Sequence, residues 1–175
     1  MPAMAPIAQP AALEDEVVTL FDELQGRLLR YLLSLGVPAP DGEEIVQEAF
    51  LALFLHLRRG KPRHNLRAWL FQVVHNLGLK SRYRMRRSEE LSWQGTLRGI
   101  ADGALNPEDQ FFRNERIRLF SGVWNALAER DRRCLSLRAE GLSYREIAQV
   151  LEMSLGAVSL SVARSLARFA RAEQR

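Results

Sequence analysis

The sequence predicts an all-α protein of two small helical domains joined by a flexible linker, the second domain containing a helix-turn-helix. Three observations carry that expectation. Apolar residues recur at three- and four-residue steps through most of the chain, no stretch alternates as a strand would, and the periodicity dissolves between residues 89 and 105. With 175 residues and 47% hydrophobic content, the chain is long enough for one medium domain or two small ones, each with a modest core.

Residues 1–12, rich in Ala and Pro, read as a disordered tail; they carry no basic region and run into Glu14, Asp15 and Glu16, which argues against a signal peptide. The first domain is expected over 13–88. Leu13, Val17, Leu20, Leu24, Leu28, Tyr31, Leu32 and Leu35 place one apolar stripe on a first helix ending near Gly36. Val37-Pro38-Ala39-Pro40 reads as a turn, and Asp41 as the N-cap of a second helix, with Glu44 as its capping-box partner. That helix carries Ile45, Phe50, Leu53, Phe54 and Leu57 and breaks at Gly60-Lys61-Pro62. A third helix runs from about Asn65 past Gly78 to Arg87, although glycine costs about 1 kcal/mol there relative to alanine.

The linker is expected over 89–105, a run of Ser, Gly and isolated apolar residues. The second domain, 106–175, opens with Asn106 as N-cap, Pro107 in the first turn, and Glu108 and Asp109 near the positive end of the helix dipole. Its first helix reaches about Ala128. A short helix from Asp131 to Glu140 follows, then a break at Gly141, a helix capped by Ser143 and Glu146, and a last helix from Ser154 to about Arg171.

Charge is divided abruptly along the first domain. Between Leu13 and Glu48 there are nine acidic residues against Arg27 and Arg30, whereas Ala49 to Ser88 holds ten basic residues and no acid. Arg58, Arg59, Lys61, Arg63 and Arg67 flank one turn, and Lys80, Arg82, Arg84, Arg86 and Arg87 close the third helix, so both ends of that helix are basic. Acids are interspersed on a merely solvated surface, so a polyanion is the economical partner. Trp69, Phe71 and Tyr83 interleave with these charges, where exposed rings stack on unpaired bases; a core role is the alternative for Trp69. The positive charge is nearly all arginine, which suits bidentate phosphate binding and is also what a GC-rich genome writes by codon bias.

From Gly141 to Val158 the chain places a capped helix, a tight turn at Glu152-Met153-Ser154 and a second helix in helix-turn-helix spacing, with Ile147, Ala148, Leu151 and Val158 as its small core. Ala157, Ser161, Arg164, Arg168 and Arg171 fall on one face of the second helix, with Val158, Val162, Leu166 and Phe169 roughly opposite. Its N-terminal half lacks positive charge, so guanine reading by bidentate arginine is not expected before Arg164. Ser159 and Ser161 are candidates for base-edge hydrogen bonds, and Ala157 or Leu160 for a thymine methyl.

Together, the run from Asp41 to Phe50 (DGEEIVQEAF), the run from Arg67 to Asn76 (RAWLFQVVHN) and the helix-turn-helix resemble the sigma-70 family, in particular its small extracytoplasmic-function group. The resemblance implies an alternative sigma factor that binds core RNA polymerase and directs promoter recognition, DNA melting and transcription initiation. It implies that Asp41, Glu44, Gln47 and Glu48 dock on the beta-prime clamp helices. Arg58, Arg59, Lys61, Arg63, Asn65, Arg67, Trp69, Asn76, Lys80, Arg82, Arg84, Arg86 and Arg87 would hold the melted minus-ten element. Ser143, Tyr144, Arg145, Ala157, Ser159, Leu160, Ser161, Arg164 and Arg168 would meet the minus-thirty-five element, beside a beta-flap contact. An anti-sigma factor is a further implied partner. Basic residues are usual in the family near Ser159, Ser161 and Ala163, and an acid near Lys80, so the upstream contact is expected to differ.

A helix-turn-helix regulator acting without polymerase is the alternative, but it needs neither the Asp41 to Phe50 motif nor a basic segment before its helix-turn-helix. An enzyme on nucleic acid ranks third: His56, His64 and His75 lack metal-ligand spacing, and the basic segment offers no carboxylates for magnesium. No catalytic residue, metal or cofactor is expected. The single cysteine, Cys134, fits a reducing bacterial cytoplasm, and no apolar run approaches the roughly 18 residues that span a bilayer.

Overall fold

A computed structural model of the chain describes residues 10–91 and 107–174. Seven helices lie within them: α1 (Pro10–Ser34), α2 (Ala39–Arg58), α3 (Leu66–Leu91), α4 (Pro107–Ala126), α5 (Glu129–Ala139), α6 (Tyr144–Leu151) and α7 (Leu155–Glu173). Most of the expected tail and linker, and the expected cap at Asn106, lie outside the described residues. At the margins helix extends further than expected, through Pro10 to Ala12 and on to Leu91.

Helix α1 is the axis of the first domain. Leu24, Leu28, Tyr31 and Leu32 on its inner stripe are essentially inaccessible to water, each such side chain contributing about 1.5–3 kcal/mol by burial. Gly36 ends it in the left-handed region, at φ 86°, and the amide of Val37 turns back to the carbonyl of Leu32 at 3.1 Å; that geometry favours glycine. Helix α2 then starts earlier than expected. Pro38 is its N-cap, with no side-chain hydrogen bond, and Pro40 stands in the first turn, so Asp41 is a first-turn acid rather than the cap. Two prolines supply fixed φ angles and withdraw donors that a side chain would otherwise have to satisfy.

Two glycines set how closely the helices approach. A Cβ on Gly42 of α2 would lie 2.8 Å from Leu29 Cδ1, and one on Gly78 of α3 would lie 2.7 Å from Leu32 Cδ2. Both notches receive leucines of α1, which explains why α3 tolerates a glycine in mid-helix.

In the second domain, α5 starts at Glu129, two residues before the expected position. The Ser143–Glu146 capping box forms in both directions: Ser143 Oγ accepts from the Glu146 amide at 3.3 Å, and Glu146 Oε2 accepts from the Ser143 amide at 2.7 Å. Glu152 ends α6 at φ 53°. Ser154 caps α7 by accepting from the Ala157 amide at 3.2 Å, and α7 leaves at 108° to α6, within the range of a helix-turn-helix.

The two domains are docked. One continuous cluster of buried apolar side chains runs from Leu13 to Val162, and α1 and α3 lie against α5 and α6. Where they meet, Tyr31 Oη and His75 Nδ1 are 2.8 Å apart in the interior, with Arg133 of α5 near enough to act on both rings.

Candidate nucleic-acid interface

On α2, Glu44, Gln47 and Glu48 are exposed and Asp41 is half-buried. Residues 41, 44 and 48 are one and two turns apart, so a single helical face carries them. Glu43 and Gln47 line a shallow groove with Phe21, Gln25, Gly26, Leu29 and Val46, a partly apolar surface with one carboxylate at its edge.

The loop between α2 and α3 is built by its backbone. Gly60 and Asn65 both take left-handed conformations, at φ 66° and 55°, and Asn65 Oδ1 receives the Ala68 amide at 3.4 Å at the start of α3. His56 Nε2 lies 3.0 Å from the Pro62 carbonyl; a carbonyl only accepts, so this nitrogen carries the proton. The other face of His56 meets the Trp69 ring, with centroids 4.8 Å apart. Trp69 is thus half-buried beneath the loop and supports it from below. Arg58, Arg59, Lys61 and Arg63 point outward from this loop.

Along α3, Asn76, Lys80, Arg84, Arg86 and Arg87 are exposed, and Tyr83 is 64% exposed. Phe71 is fully buried and edges against Tyr31 at 5.8 Å, so it is a core ring and not a stacking platform. Three of the basic side chains are already paired with acids. Arg63 meets Glu16 of α1, Arg67 reaches Glu146 of α6 at 2.9 Å, and Arg82 reaches Glu129 of α5 at 2.7 Å.

The recognition helix α7 divides into two unlike halves. In the first, Ser159 and Leu160 are exposed and Ala157 is half-buried. Ser159 shares an open hollow with Ser143, Tyr144, Arg145, Leu155 and Gly156. Exposed Arg145 therefore supplies from α6 the positive charge that the start of α7 lacks. Tyr144 stays half-buried with the Arg138 guanidinium 5.7 Å over its ring.

In the second half the polar side chains are engaged within the domain. Ser161 is 1% exposed, and its hydroxyl donates to Asp131 Oδ1 at 2.6 Å, so it presents nothing to a base edge in this arrangement. Arg164 forks onto the same carboxylate at 2.8 and 3.0 Å, and Arg168 donates to the Ala126 carbonyl at 3.1 Å. The buried stripe is Val158, Ser161, Val162 and Ser165, whereas Leu166, expected on the apolar side, is 54% exposed. Burial works to raise the pKa of Asp131, but hydrogen bonds from Arg164 and Ser161 and the Arg164 charge outweigh it and hold the carboxyl below its ordinary value. Asp131 looks in sequence like an ordinary first-turn acid, and nothing local announces partners 30 and 33 residues away.

Among the described residues no group of His, Cys, Asp and Glu could hold a metal ion. Nor is any single helix among them long and apolar enough to cross a membrane. Cys134 is buried, with its sulfur 3.9 Å from Met153 in the helix-turn-helix turn, and burial pushes its thiol pKa up.

Comparison with known proteins decides what such a pair of domains is. Residues 20–89 match sigma-70 region 2, and residues 123–169 match sigma-70 region 4. The chain belongs to the sigma-70 family.

Its relatives put it in the extracytoplasmic-function group. It is 27% identical over 159 residues to the ECF RNA polymerase sigma factor EcfG of Rhodopseudomonas palustris, covering 88% of this chain and 81% of that one. It is 29% identical over 143 residues to the RNA polymerase sigma factor CnrH of Cupriavidus metallidurans, covering 77% and 74%. The fold is similar to that of the sigma factor RpoE of Bartonella quintana, solved in complex with the anti-sigma factor NepR. That likeness has a TM-score of 0.65 and 20% identity, and covers 93% of this chain and 97% of the other. As an alternative sigma factor, the protein binds core RNA polymerase and directs promoter recognition and transcription initiation. In the sigma factor, region 2 spans α1 to α3 from Leu20, and region 4 holds the helix-turn-helix.

Proposed function

We propose that the two regions divide the work of initiation between four surfaces. The α2 face of Asp41, Glu44, Gln47 and Glu48 docks on the clamp helices of the polymerase beta-prime subunit. The loop from Arg58 to Leu66 and the outer edge of α3 hold the melted minus-ten element, with Asn76 beside a captured base and Trp69 stiffening the loop. Unstacking a base costs a few kcal/mol, which phosphate pairing along the basic edge offsets. The hollow formed by Ser143, Tyr144, Arg145 and Ser159 meets the minus-thirty-five element, and the second domain also touches the beta flap. The protein supplies no catalytic group of its own and works in the bacterial cytoplasm, where the polymerase is. An anti-sigma factor restrains it, as the structure of the similar RpoE with NepR suggests by analogy.

The observation that carries this reading is the segregation of charge on one small domain: exposed carboxylates on α2, and exposed arginines from Arg58 onward. A regulator that binds only duplex DNA has no use for the first of these surfaces. Run-off transcription with purified core polymerase, with and without the protein, tests the reading. Promoter-dependent transcripts and comigration with core are expected. Absence of both would sink the assignment.

A further inference from the structure

The face that α7 turns away from its own domain is nearly bare of hydrogen-bonding groups. Opposite the buried stripe of Val158, Ser161, Val162 and Ser165 stand Gly156, Ser159, Leu160 and Ala163, all exposed and on successive turns. Nothing in that set can fork onto a base edge. Bidentate reading of guanine in the major groove takes Arg or Lys, and of adenine Asn or Gln. The arginines of α7 begin at Arg164, which is held on Asp131, and Arg168 donates to the Ala126 carbonyl. Ser161 donates its hydroxyl to the same Asp131. Ser159 keeps the one hydroxyl of the outward face, and a single hydroxyl, which both donates and accepts, discriminates poorly between base pairs.

Leu160 is what projects from this face. Its side chain is 63% exposed, whereas Val158 and Val162 on the other side of the helix are buried. Ala157, the other apolar candidate, is half-buried. Leu155 lies about 140° around the helix from Leu160 and lines the hollow with Ser143 and Tyr144. One turn before Leu160, a Cβ at Gly156 would meet nothing within 4 Å, so the surface beside the leucine is open. The apolar group that a base pair offers in the major groove is the C5-methyl of thymine.

We infer that Leu160 is a specificity-determining residue of the sigma factor: it lies against the C5-methyl of a thymine in the minus-thirty-five element, so that one upstream base pair is read by apolar contact rather than by arginine. The inference rests on the assignment of this face to that element. Arg145 reaches the same duplex from α6, and the contact of Leu160 adds to that charge without replacing it.

The test uses the full chain bound to core polymerase. Duplexes randomised over the promoter are selected on this holoenzyme, and the enriched upstream element is synthesised with each thymine in turn replaced by deoxyuridine, which pairs as thymine does and lacks only the methyl. At one position the replacement is expected to weaken binding about fourfold, the factor for one buried carbon. Cytosine and 5-methylcytosine at that position give the converse reading, the methylated base binding more tightly. Leu160→Ala should bind thymine and deoxyuridine there alike. Leu166→Ala, which removes a comparably exposed leucine further along α7, should discriminate as wild type does.

An enriched upstream element without thymine, or equal affinity for thymine and deoxyuridine at every position of it, overturns the inference on wild-type protein alone. Discrimination that survives Leu160→Ala overturns it as well. An upstream element that is protected by α7 but indifferent to the methyl refutes the inference and leaves the minus-thirty-five assignment standing. Enrichment of a downstream element only, with transcripts still made, refutes both.

Discussion

Asp131 and Arg164 form a bidentate pair that fastens the recognition helix to α5, with Ser161 donating to the same carboxylate. Arg164 is therefore committed within its own domain, and its role is to set the angle of α7. Asp131→Ala strands the buried Ser161 hydroxyl and frees the helix, and is expected to cost about 2–3 kcal/mol in urea unfolding. Arg164→Ala should lower stability and leave the preferred minus-thirty-five sequence unchanged in footprints. Arg145→Ala should do the reverse. A change of sequence preference in Arg164→Ala at full stability would contradict the assignment.

Acid should weaken the fold in a window of its own. Burial, and then the nearby Arg133 charge, lower His75 from 6.5 to about 4. The unfolded chain thus takes up a proton near pH 6.5 that the folded chain refuses until about pH 4. Stability from this group is complete above the upper value and is lost as pH falls toward the lower, in total about 3 kcal/mol. Carboxylates held below their ordinary values, such as Glu129 and Glu146, act lower still. Urea midpoints measured between about pH 7 and about pH 4.5 should fall for wild type and fall less for His75→Gln.

Glycine plays opposite parts in two helices. Alanine at Gly78 gains about 1 kcal/mol of helix propensity, but its Cβ would press on Leu32 and Leu35 at 2.7 and 3.2 Å. Overpacking of that kind costs about 1–3 kcal/mol, so Gly78→Ala should melt a few degrees lower. Gly122, in α4, has nothing within 4 Å of such a Cβ. Gly122→Ala should melt at or above wild type, and calorimetry of the two side by side checks the contrast.

Polymerase docking and strand capture should separate genetically. Gln47→Ala with Glu48→Ala is expected to weaken core binding in a gel-shift titration. Asn76→Ala should leave core binding intact and reduce promoter opening, read by permanganate footprinting. Equal loss of core binding in both variants would refute the division.

Helix content was legible in the sequence because amphipathic periodicity is local: a three- and four-residue step survives whatever the helix packs against. The Ser143–Glu146 box was legible for the same reason, both partners lying within one turn. The start of α2 was misread because Asp41 is a better capping residue than Pro38 in isolation, whereas two prolines fixed the backbone earlier. Burial of Ser161 and exposure of Leu166 were beyond reach, since the face that α7 presents depends on a carboxylate in α5. The docking of the domains was hidden likewise. Arg67 and Glu146 are 79 residues apart, and each has a sufficient local reason to be where it is.

Helix α1 also bears on how the molecule is made. It is synthesised first, yet the notch that receives Leu32 belongs to Gly78, and the glutamate that meets Arg30 is Glu140. Helix α2 can cover part of α1 at once, but the rest of its apolar stripe must wait while dozens of residues are added at about 5–20 per second. During those seconds the part of α1 that packs on α3 and α5 has no partner, so the first domain closes only once α3 is complete.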